Sequence, residues 1–296
     1  MFSKLKQQLR RRLLGGRLQQ RLLDDQRTLG VLGNLHYRSR YPGIAPEGYS
    51  PALQEFEFRR YSQNGEDGII LYLLSRIGAE NHCIVEIGTE DGRECNSANL
   101  ILNFGWHACL IEADAGMAAS AVHYFEDCGA GGRVRVINQA ATPENINDLL
   151  AQGDIPRQPD ILSIDIDSHD YWLWQAVQVI EPRLVVIEYN ASFGPALSVT
   201  IPYGSRPVLT KRQAGYYQGA SLTALQRLGK RKGYDLVAGD SKGVNAFFVR
   251  HDIREAAGLH GLPPDRIYRP HFRRSLQKTP EQQLEIISGF TLTEVE

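Results

Sequence analysis

The chain lacks the features that define several protein classes. Its 296 residues include only four cysteines (Cys83, Cys95, Cys109 and Cys128), and no two of them have the C-x-x-C spacing of a zinc or redox site. This pattern argues against a disulfide framework and predicts small buried thiols in a reducing compartment. No apolar run approaches the roughly 20 residues that a membrane span needs. The N-terminus also lacks the apolar core and cleavage site of a secretory signal, so we expect a cytoplasmic location.

A strong charge of either sign is also missing. The formal net charge is -1, so the molecule as a whole has no field that would attract nucleic acid. With 42% hydrophobic and 23% charged residues, the composition is that of an ordinary globular protein. We predict a basic extension and linker in residues 1–50, one α/β domain in residues 51–250, and an accessory tail or oligomer arm in residues 251–296.

Residues 1–29 form a separate compositional block. They contain eight lysines or arginines, and Phe2, Leu5, Leu9 and Leu13 recur at helical spacing. This pattern predicts a basic amphipathic helix that could attach peripherally to an anionic membrane surface. A solvated extension, or a helix that packs on a partner subunit of a homo-oligomer, are the alternatives.

The middle of the chain alternates short apolar runs with helical patterns. Such alternation predicts a mainly parallel sheet with helices on both faces. The two last apolar runs, near residues 234–238 and 245–249, are close together in sequence and predict an antiparallel edge hairpin. The count is seven strands, which predicts a Rossmann-like α/β fold.

The segment from Cys83 to Asp114 carries the most specific pattern. Glu86, Gly88 and Gly92 follow the first strand, and Glu112 ends the second. This order is that of a nucleotide-binding turn followed by an acid for a ribose. However, G-x-G-x-x-G is absent, and carboxylates near the turn would repel a phosphate. The pattern therefore favours a positively charged cofactor without phosphate, such as S-adenosylmethionine, with these four residues as its site. An ordinary βα turn is the alternative.

Polar residues also follow the fourth and fifth strands. Asp165, Asp167 and His169 lie at and beyond the carboxyl end of one strand, and Glu188 and Asn190 at the end of the next. Asp165 and Asp167 alternate with apolar residues, so both carboxylates could lie on one face if the strand extends that far. Oxygen ligands of this kind suit Mg²⁺, and we expect Asp165 or Asp167, Glu188 and Asn190 to hold it. We assign His169 as a candidate general base, with a surface histidine as the alternative.

Two further segments have candidate roles. Ser62 and Asp67 lie in a polar stretch before the first strand and could fold over a cofactor, although Asp67 could instead cap the following helix. Residues 190–218 are longer than a simple connection, as acceptor-binding loops often are. Its polar and aromatic side chains could stack on a sugar or only anchor the loop: Tyr203, Arg206, Lys211, Arg212, Tyr216 and Tyr217.

These motifs together suggest a family. The order YSQNGED, VEIGTEDG, NFGWHACLIEAD and LSIDIDSHDYWLW, over about residues 61–250, resembles the FkbM-type family of class I S-adenosylmethionine-dependent methyltransferases. The resemblance implies that Glu86, Gly88 and Glu112 contact the cofactor, that Ser62 to Asp67 help to close its site, and that a sugar hydroxyl is the acceptor. Family members commonly carry an Asp-x-(Asp/Glu)-Gly-x-Glu type segment after strand four, where this chain has Ser168-His169-Asp170. The stretch IDIDSHD, together with Glu188 and Asn190, resembles more closely the pattern of metal-dependent O-methyltransferases such as the catechol and macrocin enzymes.

The sequence-based expectation is an S-adenosylmethionine-dependent O-methyltransferase that acts on a small-molecule or saccharide hydroxyl, with Asp165, Asp167 and His169 as catalytic residues. Three alternatives remain. The first is an N- or C-methyltransferase acting on a small metabolite. The second is a non-catalytic protein that retains the fold. The third is a nucleic-acid methyltransferase, which the near-zero net charge disfavours.

Overall fold

The computed structural model describes residues 53–204, 213 and 215–296, together with Thr28, Leu29 and Leu32. The predicted basic helix of residues 1–29 and the linker after it therefore lie outside the described residues, except for Thr28 and Leu29, which are helical. Among the described residues, no helix combines the length and apolarity required to cross a bilayer.

The strands form one large sheet and one small one. They are β1 (Cys83–Ile87), β2 (His107–Glu112), β3 (Val134–Asn138), β4 (Ile161–Ile164), β5 (Leu184–Glu188), β6 (Val199–Thr200), β7 (Tyr234–Gly239), β8 (Asn245–Arg250) and β9 (Thr293–Glu294). The large sheet has seven strands in the order β3-β2-β1-β4-β5-β8-β7. Its first five strands are parallel, whereas β8 runs antiparallel to both β5 and β7. The predicted seven-stranded Rossmann-like α/β fold is confirmed.

Helices cover both faces of this sheet. They are α1 (Glu66–Ile77), α2 (Ala98–Phe104), α3 (Ala115–Asp127), α4 (Ile146–Gln152), α5 (Asp170–Ala176), α6 (Leu222–Arg231), α7 (His251–Ala256), α8 (Pro264–Ile267) and α9 (Pro280–Ile286). One apolar core packs α4, α5 and α6 against the sheet, and a second packs α1, α2, α3 and α7 against the other face. Within β1, Val85 belongs to the first core and Ile84 to the second, as the period of two in a strand requires.

Helices α6 and α4 begin in different ways. Ser221 caps α6, since its side chain accepts a hydrogen bond from the Ala224 N–H at 3.1 Å. Thr142 does not cap a helix, because α4 begins only at Ile146. The Asn145 side chain accepts from the Thr142 N–H at 2.8 Å, so a local turn replaces the first helical turn.

Residues 251–296 pack along the main domain. Strand β9 pairs with β6, and Ile267 and Ile287 are completely buried. The Tyr189 hydroxyl at the end of β5 donates to the Arg269 carbonyl at 3.1 Å. The segment predicted as an accessory tail therefore lies over the carboxyl ends of the central strands.

The strand order reverses between β1 and β4. In open parallel sheets, ligands bind outside the carboxyl ends of the strands at such a point. The residues that follow β1, β2, β4 and β5 are therefore the ones that can form a site.

Candidate active site at the carboxyl ends of the strands

A cavity of about 460 Å³ lies at this position. Its volume falls within the range of about 300–1,000 Å³ that is typical of small-molecule sites. The lining is strongly acidic, with eight carboxylates against three arginines: Glu66, Glu86, Glu90, Glu94, Glu112, Asp165, Asp167 and Glu188 against Arg59, Arg273 and Arg274. A cavity of this charge favours a cationic ligand and disfavours a phosphate.

The turn after β1 depends on glycine. Gly88 has a φ of +84°, and a Cβ at this position would lie 1.7 Å from the Asp165 carbonyl oxygen. The ends of β1 and β4 therefore approach more closely than any side chain would allow. Gly92 has a φ of +74°, and its added Cβ would lie 2.7 Å from Phe125 Cε2. Gly92 does not line the cavity; it shapes the turn that does.

Glu86 lines the cavity, but its carboxylate serves the turn. It accepts hydrogen bonds from the N–H groups of Asn96 (2.9 Å) and Ser97 (2.8 Å) at the start of α2. Burial raises the pKa of Glu86, while these hydrogen bonds act in the opposite direction. Glu86 therefore fixes the segment over which a cofactor would lie.

Glu112 ends β2 at the wall of the cavity. One carboxylate oxygen accepts from the Asp114 N–H and the other from the Glu90 N–H, each at 2.8 Å. These bonds hold the carboxylate in one orientation, and each oxygen keeps a lone pair for a further donor. Two parallel acceptors of this kind suit a vicinal diol such as a ribose.

Ser62 and Asp67 bond to each other instead of lining the cavity. The Ser62 hydroxyl accepts from the Asp67 N–H at 3.0 Å, and Asp67 Oδ2 accepts from the N–H groups of Arg60, Tyr61 and Ser62. Burial raises the pKa of Asp67. Their neighbours Gln63, Asn64 and Glu66 line the cavity, so Ser62 and Asp67 support the segment that reaches the site.

Asp165, Asp167 and Glu188 form a carboxylate cluster, in which the oxygens lie within 4.8 Å of one another. The clustering was predicted, but the reason given for it was wrong. Strand β4 ends at Ile164, and Asp167 has a φ of +53°, so a tight turn and not an extended strand brings the two aspartates together. Asp170 shapes that turn, since its carboxylate accepts from the N–H groups of Ile166 (2.9 Å) and Ser168 (3.1 Å).

The cluster brings like charges close together. Burial raises the pKa of Asp165 well above its usual range, and the charges of Asp170 and Asp167 raise it further. Burial, followed by the charge of Asp165, raises the pKa of Glu188 in the same way. Within the described part of the chain, none of the three carboxylates forms an ion pair. Buried like charges at this separation are stable only with bound protons or a cation.

Asn190, predicted as a metal ligand, uses its amide group for hydrogen bonds to other residues, and its role as a ligand stays a prediction. Its amide nitrogen donates to the carbonyls of Tyr216 (2.7 Å) and Gln218 (2.8 Å). Its amide oxygen accepts from the Ser192 N–H and from Arg274 Nη1, both at 2.9 Å. The amide oxygen that the sequence pattern assigned to a metal therefore accepts a hydrogen bond from the Arg274 guanidinium.

His169 lies apart from the carboxylate cluster. It lines a neighbouring cavity of about 250 Å³, and its ring packs edge-on against Tyr203 with centroids 5.3 Å apart. The two cavities share Ala141 and Ile166 as lining residues. The role of His169 as a base stays a prediction.

The long insertion is anchored by two of its tyrosines. Tyr216 and Tyr217 are buried, and the Tyr217 hydroxyl donates to the Thr291 carbonyl at 2.6 Å. Tyr203 is 43% exposed, and its hydroxyl donates to Glu144 at 2.5 Å. Three predicted sugar contacts lie outside the described residues: Arg206, Lys211 and Arg212.

The sequence pattern missed two cavity residues. Asn245, at the start of β8, lies opposite Glu188, and its amide nitrogen donates to Glu66 at 2.8 Å. Its buried amide oxygen has no hydrogen-bond partner among the residues that the structure describes. Arg274 reaches the site from the C-terminal segment. The basic cluster around Arg273 and Arg274 was a sequence signal, but nothing in it indicated which strands it would face.

No family model matches the chain, and no curated protein is a significant match. Among solved structures, the O-methyltransferase TomG from Streptomyces achromogenes, in complex with S-adenosylmethionine, is 20% identical over 73% of this chain and 95% of its own, with a TM-score of 0.40. An O-methyltransferase from Bacillus cereus, in complex with S-adenosylhomocysteine, is 15% identical over 74% of this chain and 89% of its own, with a TM-score of 0.40.

A third similar structure, a candidate sarcosine dimethylglycine methyltransferase from Galdieria sulphuraria, is 15% identical. The match covers 57% of this chain and 60% of the other, with a TM-score of 0.40. Structural similarities with TM-scores this low do not establish a function for this chain. Its fold is established by its own sheet order, and its function has to be argued from its own residues.

Proposed function

We propose that the chain is an S-adenosylmethionine-dependent O-methyltransferase that methylates a saccharide or glycoconjugate hydroxyl with the help of a divalent cation such as Mg²⁺. The observation that carries the proposal is the position of Glu112. Its oriented carboxylate faces the same acidic cavity as the Gly88 turn, at the point where the strand order reverses.

The cofactor half of the cavity fits S-adenosylmethionine. When bound, this cofactor supplies a methyl group that its sulfonium charge has already activated. The excess of carboxylates favours that positive charge, and Glu112 would accept hydrogen bonds from the ribose hydroxyls. Glu86 and Gly88 would hold the floor of the site, with Gly92, Ser62 and Asp67 shaping the loops around it.

The carboxylate cluster fits a hard divalent cation. Three oxygens within 4.8 Å of one another would hold such a cation beside an acceptor hydroxyl. A bound cation would lower the pKa of that hydroxyl. Glu188 is buried and Asp165 is partly buried, so both would fix its position, while Asp167 is exposed and lies at the mouth of the cluster.

The residues of the chain would act mainly by positioning. The acceptor oxygen forms a bond to the methyl carbon as the bond to sulfur breaks, and the hydroxyl proton leaves to a base. Asp167 is the first candidate for that base because it is the exposed member of the cluster. His169 is the second, since it faces the neighbouring cavity.

The saccharide acceptor is supported by the second cavity. Tyr203 and His169 offer ring surfaces there, and Thr142 and Ser168 offer hydroxyl groups. The acidic lining of the main cavity and the net charge of -1 both disfavour a nucleic-acid acceptor. The basic pattern of residues 1–29 supports peripheral contact with an inner membrane surface in a cytoplasmic protein.

Titration calorimetry with S-adenosylhomocysteine tests the proposal. We expect micromolar binding by the wild-type protein, and a loss of at least about tenfold in affinity in Glu112→Ala, because the carboxylate accepts two ribose hydroxyls. Glu126→Ala, an exposed acid on α3, is the matched control and should bind as the wild type does. Absence of binding, with and without Mg²⁺, would rule out the methyltransferase assignment.

A further inference from the structure

Arg274 is the basic residue that contacts Asn190 beside the carboxylate cluster. Its Nη1 donates to Asn190 Oδ1 at 2.9 Å, and its charge acts on both Glu188 and Asp167. The guanidinium is partly buried, and within the described residues it forms no ion pair with either acid. Asn190 thus holds the positive charge beside the cluster, where Gln218 Nε2 also donates to Asp167 at 3.1 Å and to Glu188 at 3.4 Å.

The backbone before Arg274 is fixed on the β7–β8 turn. His271 Nδ1 accepts from the N–H groups of Arg273 (3.2 Å) and Arg274 (3.3 Å), and the Phe272 N–H donates to the Lys242 carbonyl at 2.8 Å. At Gly243, where φ is +73°, a Cβ would lie 2.3 Å from the Arg269 carbonyl oxygen. This close approach delivers Arg274 to the site in a defined position and not as part of a loose tail.

We propose that Arg274 is a positioning residue that sets the affinity of the Asp165–Asp167–Glu188 cluster for a divalent cation. The inference rests on the cation site of the proposed function. The guanidinium partly neutralises the cluster before a cation enters, and it repels an entering cation. It thereby keeps three close carboxylates tolerable in the cation-free protein and makes the bound cation exchangeable.

An electrostatic role for Arg274 predicts a change in cation affinity whose sign a purely structural role would not produce. If Arg274 only held the C-terminal segment in place, its loss would weaken cation binding or leave it unchanged. If its charge opposes the divalent cation, its loss tightens binding, by at least about tenfold for charges separated by several ångströms at a partly buried site. The sign of the change therefore decides between the two roles.

The test is calorimetric titration of Mn²⁺ into the protein saturated with S-adenosylhomocysteine, for the wild type and three variants. Arg274→Gln should bind Mn²⁺ at least about tenfold more tightly, and Arg274→Lys, which keeps the charge, should stay close to the wild type. Arg266→Gln removes the same charge from the exposed surface of α8 and is the matched control, with unchanged affinity. Equal or weaker binding by Arg274→Gln would overturn the inference.

A measurement on the wild-type protein covers the case in which Arg274→Gln does not fold. The amides of Phe272 and Ser275 donate to the Lys242 and His271 carbonyls, so they report on the segment that carries Arg274. Hydrogen exchange at these amides should become faster when Mn²⁺ binds, because the cation displaces the guanidinium. Unchanged or slower exchange would contradict the proposal.

The outcomes separate this inference from the proposed function. Binding of S-adenosylhomocysteine and Mn²⁺ with identical Mn²⁺ affinities for wild type and Arg274→Gln would leave the proposed function standing and overturn the role of Arg274. Mn²⁺ binding by Arg274→Gln alone would support the inference. Failure of both proteins to bind Mn²⁺ would remove the cation site and the inference with it.

Discussion

The two halves of the cavity use carboxylates in opposite ways. In the half formed by β1 and β2, Glu86 and Glu112 each accept two backbone N–H groups, so both acids are held and satisfied. In the half formed by β4 and β5, Asp165 and Glu188 are surrounded by other acids, and burial raises the pKa of both. The carboxylates of the first half are satisfied by backbone N–H groups, whereas those of the second half need bound protons or a cation to be stable.

This difference separates structural acids from ligand-binding acids. A carboxylate that accepts backbone N–H groups stabilises the turn it belongs to, and its removal should cost stability. A carboxylate crowded by like charges destabilises the fold, and its removal should increase stability while the site loses its ligand. Substitutions in each half test that contrast, beginning with the contact between Gly88 and Asp165 that joins the two halves.

Gly88→Ala should have the largest effect. The added Cβ would collide with the Asp165 carbonyl oxygen, 1.7 Å away, at a φ of +84°. We expect a loss of about 3–5 kcal/mol in the free energy of unfolding, from overpacking and backbone strain together. Gly105→Ala is the control: φ there is +72° with no atom within 4 Å, so only about 1 kcal/mol should be lost. Equal losses in urea denaturation would contradict the proposed contact.

Glu188→Gln should abolish cation binding and stabilise the cation-free protein. Removing one of three close carboxylates relieves repulsion, which we estimate at about 1–2 kcal/mol. Glu112→Gln should do the reverse and lose about 1 kcal/mol, because its amide group would face a backbone N–H. Urea denaturation in the presence of a chelator measures both changes. If both substitutions changed the free energy of unfolding in the same direction, the proposed difference between the two halves would be contradicted.

Glu112→Ala should separate cofactor binding from cation binding. We expect at least about a tenfold loss in S-adenosylhomocysteine affinity, since two charge-assisted hydrogen bonds disappear. Mn²⁺ affinity should stay within about twofold, because Glu112 lies outside the cluster. Calorimetric titration with each ligand measures the two affinities. A parallel loss of both affinities would mean that the halves do not act independently.

The pH dependence of stability should also report on the second half. Raised folded-state pKa values mean that the native protein binds more protons than the unfolded chain above about pH 4, so its stability falls as pH rises. Asp165, Glu188, Asp170 (pKa about 6) and Asp240 (pKa about 8) all act in this direction. In chelator, the free energy of unfolding should fall between pH 5 and pH 8, and saturating Mn²⁺ should reverse the trend. A rising curve in chelator would contradict this account.

His169→Gln should have the smallest effect on binding. His169 lines the neighbouring cavity, so the affinities for S-adenosylhomocysteine and Mn²⁺ should not change. Turnover with an acceptor found by screening tests its chemical role. A fall of about 10²-fold or more would show that His169 is the general base, whereas a smaller change would leave that role to Asp167.

Local patterns predicted much of the fold and part of the site. The strands, the Gly88 turn and the acids after β4 and β5 follow from short-range sequence signals, and the structure brings Asp165, Asp167 and Glu188 together. The engagement of Asn190 could not be predicted, because Arg274 lies 84 residues away in the sequence. The separation of His169 from the cluster could not be predicted either, because it depends on the left-handed backbone conformation of one residue, Asp167.

The most direct test of the central claim is titration of Mn²⁺ into the S-adenosylhomocysteine complex of the wild type and of Glu188→Gln. We predict that the wild type binds the cation, that Glu188→Gln does not, and that both bind S-adenosylhomocysteine with equal affinity. Wild-type protein that binds S-adenosylhomocysteine but no divalent cation would contradict the account of the second half. Loss of S-adenosylhomocysteine binding in Glu188→Gln would contradict the separation of the two halves.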